Sequence, residues 1–246
     1  MKIDYQVREE YKQLEPALLE IPASFERRGR LVKRGRNEIR EIEAGGLALN
    51  VKSYKRPNLL NRLVYAYLRP SKARRSYLYA IKLAGLGIGT PEPVAYIVYR
   101  TRWGVTRSFY ISRQVAFDFE FRNLKAARPA GMDEILRGFT RFTYEMHRHA
   151  IYFLDHSPGN TLIAREGDAW RFYLVDLNRM RFRRVSPRAG LRNFYRLNAD
   201  EEMIEVIAGE YARLTGSDAG EMTRLLSHWT RRHDERVRRR KARRAR

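Results

Sequence analysis

Cysteine is missing altogether from this 246-residue chain, which excludes a disulfide framework and thiolate metal sites. Histidine is scarce: the five present form no ligand-like pair with carboxylates, so a zinc site is not expected. His147 and His149, two positions apart, would face different sides of a helix. No run approaches the roughly 20 apolar residues that span a bilayer. The start, Met1-Lys-Ile-Asp-Tyr-Gln-Val-Arg8, also lacks the apolar core of a secretion signal, and a cytoplasmic protein is expected. Acidic residues are few, 28 against 50 Lys and Arg, and between Glu43 and Glu92 there is not one Asp or Glu.

What is present reads as a folded, basic protein. With 43% hydrophobic and 12% aromatic residues the chain is not disordered, and its length suffices for one two-lobed unit or two small domains. The net charge is +22; the tail from Arg231 to Arg246 holds ten Arg or Lys against Asp234 and Glu235, so the rest is strongly basic as well. Such a field attracts anionic partners, either nucleic acid or an anionic membrane surface. Lys55 to Pro70 mixes arginines with aromatics that could stack on bases. No nucleic-acid recognition motif accompanies it, and Leu60, Leu63, Val64 and Leu68 recur at the spacing of an amphipathic helix.

The richest stretch is Tyr152-Phe-Leu-Asp155-His-Ser-Pro-Gly-Asn160-Thr-Leu-Ile163, followed by Phe172-Tyr-Leu-Val-Asp176-Leu-Asn178. Asp155 and Asn160 stand five apart. Two apolar runs, Thr161 to Ala164 and Phe172 to Val175, flank Glu166-Gly-Asp168 as a hairpin would, which returns Asp176 to the side of Asn160. Taken singly, an Asp at a strand end is often only a turn or cap. The ordered set is the pattern of a phosphoryl-transfer site. That chemistry rests on positioning and charge neutralisation, with one carboxylate for the acceptor hydroxyl and oxygen ligands for Mg²⁺. Protein kinases carry it as H-R-D-x-x-x-x-N and a later metal-binding Asp. Asp155 fits the catalytic role, and Asn160 and Asp176 the metal-binding one. Phe153 occupies the place of the motif's histidine and is expected to pack. Asn178-Arg179 departs from D-F-G by lacking the glycine, and Asn178 is a candidate to assist a metal or orient the loop.

Upstream, Glu38 to Glu43, Ala44-Gly-Gly46 and Leu47 to Tyr54 read as strand, glycine turn and strand. Lys52 is the candidate for the strand lysine that holds nucleotide phosphates; in so basic a chain it also reads as an ordinary strand lysine. Lys33-Arg-Gly-Arg-Asn37 stands where a glycine-rich phosphate loop belongs, with Gly35 its only glycine. The glutamate that anchors the strand lysine in kinases cannot come from the helix expected near Lys72 to Leu86, where Ser76 stands close to the expected position.

Leu154 to Ile163 and Leu174-Val-Asp-Leu-Asn-Arg-Met-Arg-Phe182 resemble the lipopolysaccharide core kinase (Kdo/WaaP) family. The resemblance extends through Leu47 to Lys52, Gly87 to Val94 and Arg192-Asn-Phe-Tyr-Arg-Leu197. It implies an α+β, bilobal protein-kinase-like fold with a small antiparallel-sheet N-lobe and a mainly helical C-lobe. It also implies ATP- and Mg²⁺-dependent phosphorylation of a sugar hydroxyl, Kdo or heptose, on the lipopolysaccharide inner core or a lipid A-core precursor, at the cytoplasmic face of the inner membrane. The expected layout is an extension over 1–29, an N-lobe over 30–117, a C-lobe over 118–230 and a basic tail over 231–246, disordered or ending the last helix. The junction should fall near Ala116 to Arg122, where Asp118 and Glu120 are candidates to meet a nucleotide or sugar hydroxyl, or plain loop residues. Met132, Ile135, Leu136, Phe139, Phe142 and Met146 mark a long amphipathic helix leading into the Asp155 loop. Two helices, near Asp200 to Leu214 and Gly220 to Val237, are all that is expected beyond Asp176. Two competing readings stay open: a catalytically weak kinase-like scaffold on anionic lipid, favoured by the absent helix glutamate, and, supported by charge alone, a nucleic-acid-binding protein.

Overall fold

A computed structural model describes residues 1–55 and 70–244; the amphipathic helix expected around Leu60 to Leu68 lies outside the described residues. The chain divides into two compact units, Met1–Val115 and Ala116–Arg246.

The first unit is built on six antiparallel strands: β1 (Lys2–Val7), β2 (Arg30–Lys33), β3 (Asn37–Ala44), β4 (Leu47–Tyr54), β5 (Pro93–Thr101) and β6 (Gly104–Arg113), in the order β1-β5-β6-β4-β3-β2. The β3–β4 hairpin turns at Gly45 and Gly46, both at positive φ (57° and 73°), the conformation a tight two-residue hairpin needs at both centres. A Cβ on Gly45 would also meet Leu14 Cδ2 at 2.2 Å. Alternation along the strands sorts the two faces. Leu49, Val51, Phe109 and Ile111 join Leu18, Ile21 and Phe25 of helix α1 (Glu15–Ser24) and its end in one buried cluster. The stretch 1–29 therefore supplies an edge strand and part of this core. Residues of opposite parity, Lys52, Tyr54 and Tyr110, belong to the other face, where Tyr54 and Tyr96 meet helix α2 (Lys72–Gly85) through Ser76 and Tyr77. Ser71 caps α2, accepting from Arg74 N at 3.1 Å.

The second unit is mainly helical. Helix α4 (Met132–Arg148), preceded by α3 (Phe121–Ala127), buries Met132, Ile135, Leu136, Phe139, Thr143 and Met146 along one stripe. It packs on helix α6 (Glu201–Thr215), which in turn packs on α7 (Ala219–Arg244), with Ile207, Tyr211 and Leu226 in the shared core. Two small sheets complete it: β7 (Phe119–Glu120), β9 (Thr161–Glu166) and β10 (Ala169–Leu174) in the order β10-β9-β7, and β8 (Ile151–Phe153) paired with β11 (Met180–Phe182). Helix content after Asp176 exceeds the expected two helices: α5 (Pro187–Arg192) runs into a 3₁₀ turn over Asn193–Arg196. Its start carries the usual signals, Ser186 as cap and Pro187 in the first turn, but it is too short to show helical periodicity. Helix α7 packs through Met222, Leu226 and Thr230 and then continues to Arg244, mostly exposed beyond Thr230.

Candidate active site

The two small sheets of the second unit tie the motif together. His149 caps the end of helix α4, and Ala150, at φ 57°, turns the chain into β8. Pairing of β8 with β11, extended by Leu154 N donating to Arg179 O at 3.0 Å, places Asp155 beside the segment from Asp176 to Arg179. The β9–β10 hairpin closes the other side, with Gly167 at its turn (φ 60°) and Val175 N donating to Asn160 O at 3.0 Å. Asp155, Asn160 and Asp176 thus converge on one loop region, as the spacing predicts. The Asn160 amide nitrogen donates to Asp155 O at 2.7 Å, which leaves Oδ1 as the side chain's acceptor. Asn178 Nδ2 donates to Asp176 Oδ1 at 2.6 Å. Asp176 itself has φ 60°, a left-handed conformation costing about 1 kcal/mol or more outside glycine.

Around Asp155 the sequence reading missed the supporting residues. Arg196 Nη1 lies 3.1 Å from the Asp155 carboxylate and also donates to Leu154 O at 3.0 Å; Arg179 stands 3.8 Å away. Below the loop, Asn193 Nδ2 donates to Phe153 O at 2.8 Å. The Asn193 oxygen can only accept, so the contact with His147 Nε2 at 3.1 Å puts the imidazole proton on Nε2. His147 Nδ1 then accepts from Tyr211 Oη at 3.0 Å. Burial holds His147 neutral, its pKa lowered to about 4 against the opposing effect of the Asn193 contact. His156 is pushed lower still, to about 3, by burial first and then by His147 and Arg196. It stacks on Phe139 with centroids 5.3 Å apart and meets Thr143 Oγ1 at 3.4 Å. The Phe153 side chain is fully buried, as expected of a packing residue. Signals for these residues existed: His147 extends the apolar stripe of α4 by one turn after Thr143, and Asn193 and Arg196 belong to the Arg192–Leu197 run. His149 is half-exposed and pairs with Glu145 instead.

In the first unit, Lys52 is buried at mid-β4, its Nζ 5.3 Å from the centre of the Tyr54 ring, opposite Tyr110 on β6. Ser76, which stands near the position expected for a helix glutamate, is buried and bonded to Tyr54 Oη at 2.7 Å. Gly35 sits between β2 and β3 without positive φ, and a Cβ there would meet nothing within 4 Å, so backbone geometry does not require glycine. Asp118 is occupied structurally: its carboxylate accepts from Arg165 N at 2.8 Å. Glu120 caps α3 and pairs with Arg122.

Among the described residues no group of three or more His, Asp or Glu could hold a metal by itself. Mg²⁺ needs no such cage, since it is commonly held by one or two carboxylates together with substrate phosphates and water. The Asp176 carboxylate and the Asn160 side-chain oxygen, on segments joined by the Val175 N–Asn160 O bond, are oxygen donors of the kind such an ion takes.

A solved structure of WaaP in complex with acyl carrier protein superposes with a TM-score of 0.64 at 19% identity, covering 96% of this chain and 99% of that one. WbdD with the kinase inhibitor LY294002 gives 0.45 at 12% identity, covering 81% and 44%. The PknI kinase domain of Mycobacterium tuberculosis, in a single-residue mutant form, gives 0.40 at 12% identity, covering 77% and 75%. Comparison with the curated proteins gives no match. The fold is α+β and kinase-like, with an antiparallel-sheet N-terminal region and a helical C-terminal region. A profile of the lipopolysaccharide kinase (Kdo/WaaP) family matches residues 34–238, and the chain belongs to that family of kinases.

Proposed function

We propose that this kinase transfers phosphate from ATP to a sugar hydroxyl, Kdo or heptose, of the lipopolysaccharide inner core or a lipid A-core precursor. The observation that carries the reading is the convergence of Asp155, Asn160 and Asp176 on one loop region tied by the β8–β11 and β9–β10 pairings. Asp155 orients the acceptor hydroxyl and takes its proton as the new oxygen–phosphorus bond forms and the bond to ADP breaks. Arg196 and Asn193 hold that carboxylate's loop in place from side and below. Asp176 and Asn160 hold Mg²⁺, and Lys52, with the basic segment around Gly35, holds the nucleotide phosphates. Bound Mg²⁺ supplies neutralisation of the charge on the transferring phosphoryl group.

The substrate and the charge of the chain together support work at an anionic membrane face, the cytoplasmic side of the inner membrane. Beyond Thr230, helix α7 is mostly exposed and rich in arginine, and each basic residue near such a surface contributes up to about 1 kcal/mol. Among the described residues no helix is long and apolar enough to cross a membrane.

The test is phosphate transfer from ATP and Mg²⁺ to deacylated core oligosaccharide. Wild type should turn over, and Asp155→Ala and Asp176→Ala should each lose transfer while keeping their circular dichroism. Absence of both nucleotide binding and transfer in wild type across several core sugars would overturn the reading. Ser76 in place of a helix carboxylate favours a second one, a slow kinase-like scaffold on anionic lipid; nucleotide binding without turnover would select it.

A further inference from the structure

Between Asp176 and Asp200 the chain contains seven arginines and no acidic residue. Arg179 and Arg196 are engaged with Asp155. Most of the others converge elsewhere. Arg181, Arg183, Arg188 and Arg192 line a groove of about 520 Å³ whose floor includes Tyr152 and Trp229 and whose wall reaches Leu154, the residue before Asp155. No carboxylate lines the groove. Among the described residues none of these four arginines is in an ion pair, although elsewhere in the same unit Arg128, Arg141 and Arg213 are paired to acids. Two of the four are pre-positioned by rings: the Arg183 guanidinium lies 6.0 Å from the Tyr152 ring centre and that of Arg192 lies 5.7 Å from Trp229. A cation–π contact of this kind steadies the guanidinium and leaves N–H groups for a ligand.

Concentrating four like charges without a counter-ion is unfavourable for the folded chain alone, and a bound anion would relieve it. Arginine rather than lysine at all four positions suits bidentate recognition of phosphate or carboxylate. The volume lies in the range of small-ligand sites.

We infer that this groove is the acceptor subsite for an anionic saccharide: the arginines grip a phosphate or carboxylate group on the sugar while a neighbouring hydroxyl reaches Asp155. The inference rests on the proposed kinase reading for the role of Asp155, but the groove itself is tested by binding alone.

The probe is trehalose 6-phosphate against trehalose, titrated into the full chain at low salt by calorimetry, with ATP·Mg²⁺ titrated separately. Wild type should bind the phosphorylated sugar at least tenfold more tightly than the neutral one. Arg183→Gln/Arg188→Gln, at two exposed positions, should lose about tenfold or more of that affinity and bind ATP as wild type does. The charge-conserving Arg183→Lys/Arg188→Lys should recover part of it. Equal affinity for both sugars, or an undiminished preference in the Gln variant, overturns the assignment. So does a Gln variant that loses binding to phosphatidylglycerol vesicles or to a single-stranded oligonucleotide while keeping the sugar phosphate, since the surface would then serve a membrane or nucleic acid. Preference for the phosphorylated sugar without ATP binding leaves the groove standing and sinks the kinase reading; ATP binding without that preference does the reverse.

Discussion

The buried histidine pair beneath the Asp155 loop makes the second unit labile to mild acid. His147 and His156 are 4% and 1% exposed, and burial lowers their pKa values to about 4 and about 3. In the unfolded chain each titrates near its ordinary value of about 6.5. Between pH 7 and pH 5 the unfolded state therefore takes up protons that the native state refuses, so stability is fully present above about pH 6.5 and falls as the pH drops toward the folded values. Integrated over that interval, each histidine removes about 2 kcal/mol and the pair about 4 kcal/mol. The result depends little on the folded pKa provided it lies well below 5. Such a loss is a large part of the about 5–15 kcal/mol that stabilises a typical domain. Glu210, whose pKa is lowered first by its hydrogen bond to Arg213, loses its contribution only as the pH falls below the ordinary carboxylate range. Urea unfolding at pH 7, 6 and 5 should report the loss through tryptophan fluorescence, because Trp170 and Trp229 both lie in the second unit. His156→Gln should halve the pH dependence. A wild-type stability that is flat from pH 7 to 5, or a variant with an unchanged slope, would refute the reasoning.

Asn193→Ala should cost about 3 kcal/mol, since it strands the buried Phe153 carbonyl and the His147 N–H; it should also lower kcat more than it changes nucleotide affinity, which single-turnover kinetics and ATP titration would separate. Gly190→Ala places a Cβ 1.8 Å from the buried Tyr211 Oη and 2.8 Å from His147 Nδ1, and thermal unfolding should show a loss of about 3 kcal/mol. Gly159→Ala has the Arg122 guanidinium as its three nearest atoms, the first at 1.6 Å; that side chain is half-exposed and can swing aside, so the loss should stay below about 1 kcal/mol. Ser76→Ala removes one hydrogen-bond partner of Tyr54 Oη and should cost about 1–2 kcal/mol by urea titration. If it leaves stability untouched, the buried bond contributes nothing.

Much of the fold was legible from residue order because its signals are local. Period-two alternation and paired glycines specify the β3–β4 hairpin, the apolar stripe specifies α4, and Asp155, Asn160 and Asp176 are close enough in the chain for one hairpin to join them. The short helix α5 escaped because six residues carry no period. The basic end of the chain, read as disordered or as the end of the last helix, continues α7 to Arg244.

The sequence by itself determined the kinase-like arrangement of the loop residues, the absence of an acid on α2 and the overall positive charge, since spacing and composition need no partner to be read. Only tertiary structure decided which groups hold the loop. His147, Asn193 and Tyr211 are far apart along the chain, and each is an ordinary polar residue until packing removes water and leaves the others as its hydrogen-bond partners. The same holds for the arginines from 181 to 192: in sequence they are part of a general excess of charge, and only the folding of β11, α5 and α7 onto Tyr152 gathers them around one groove without a counter-ion.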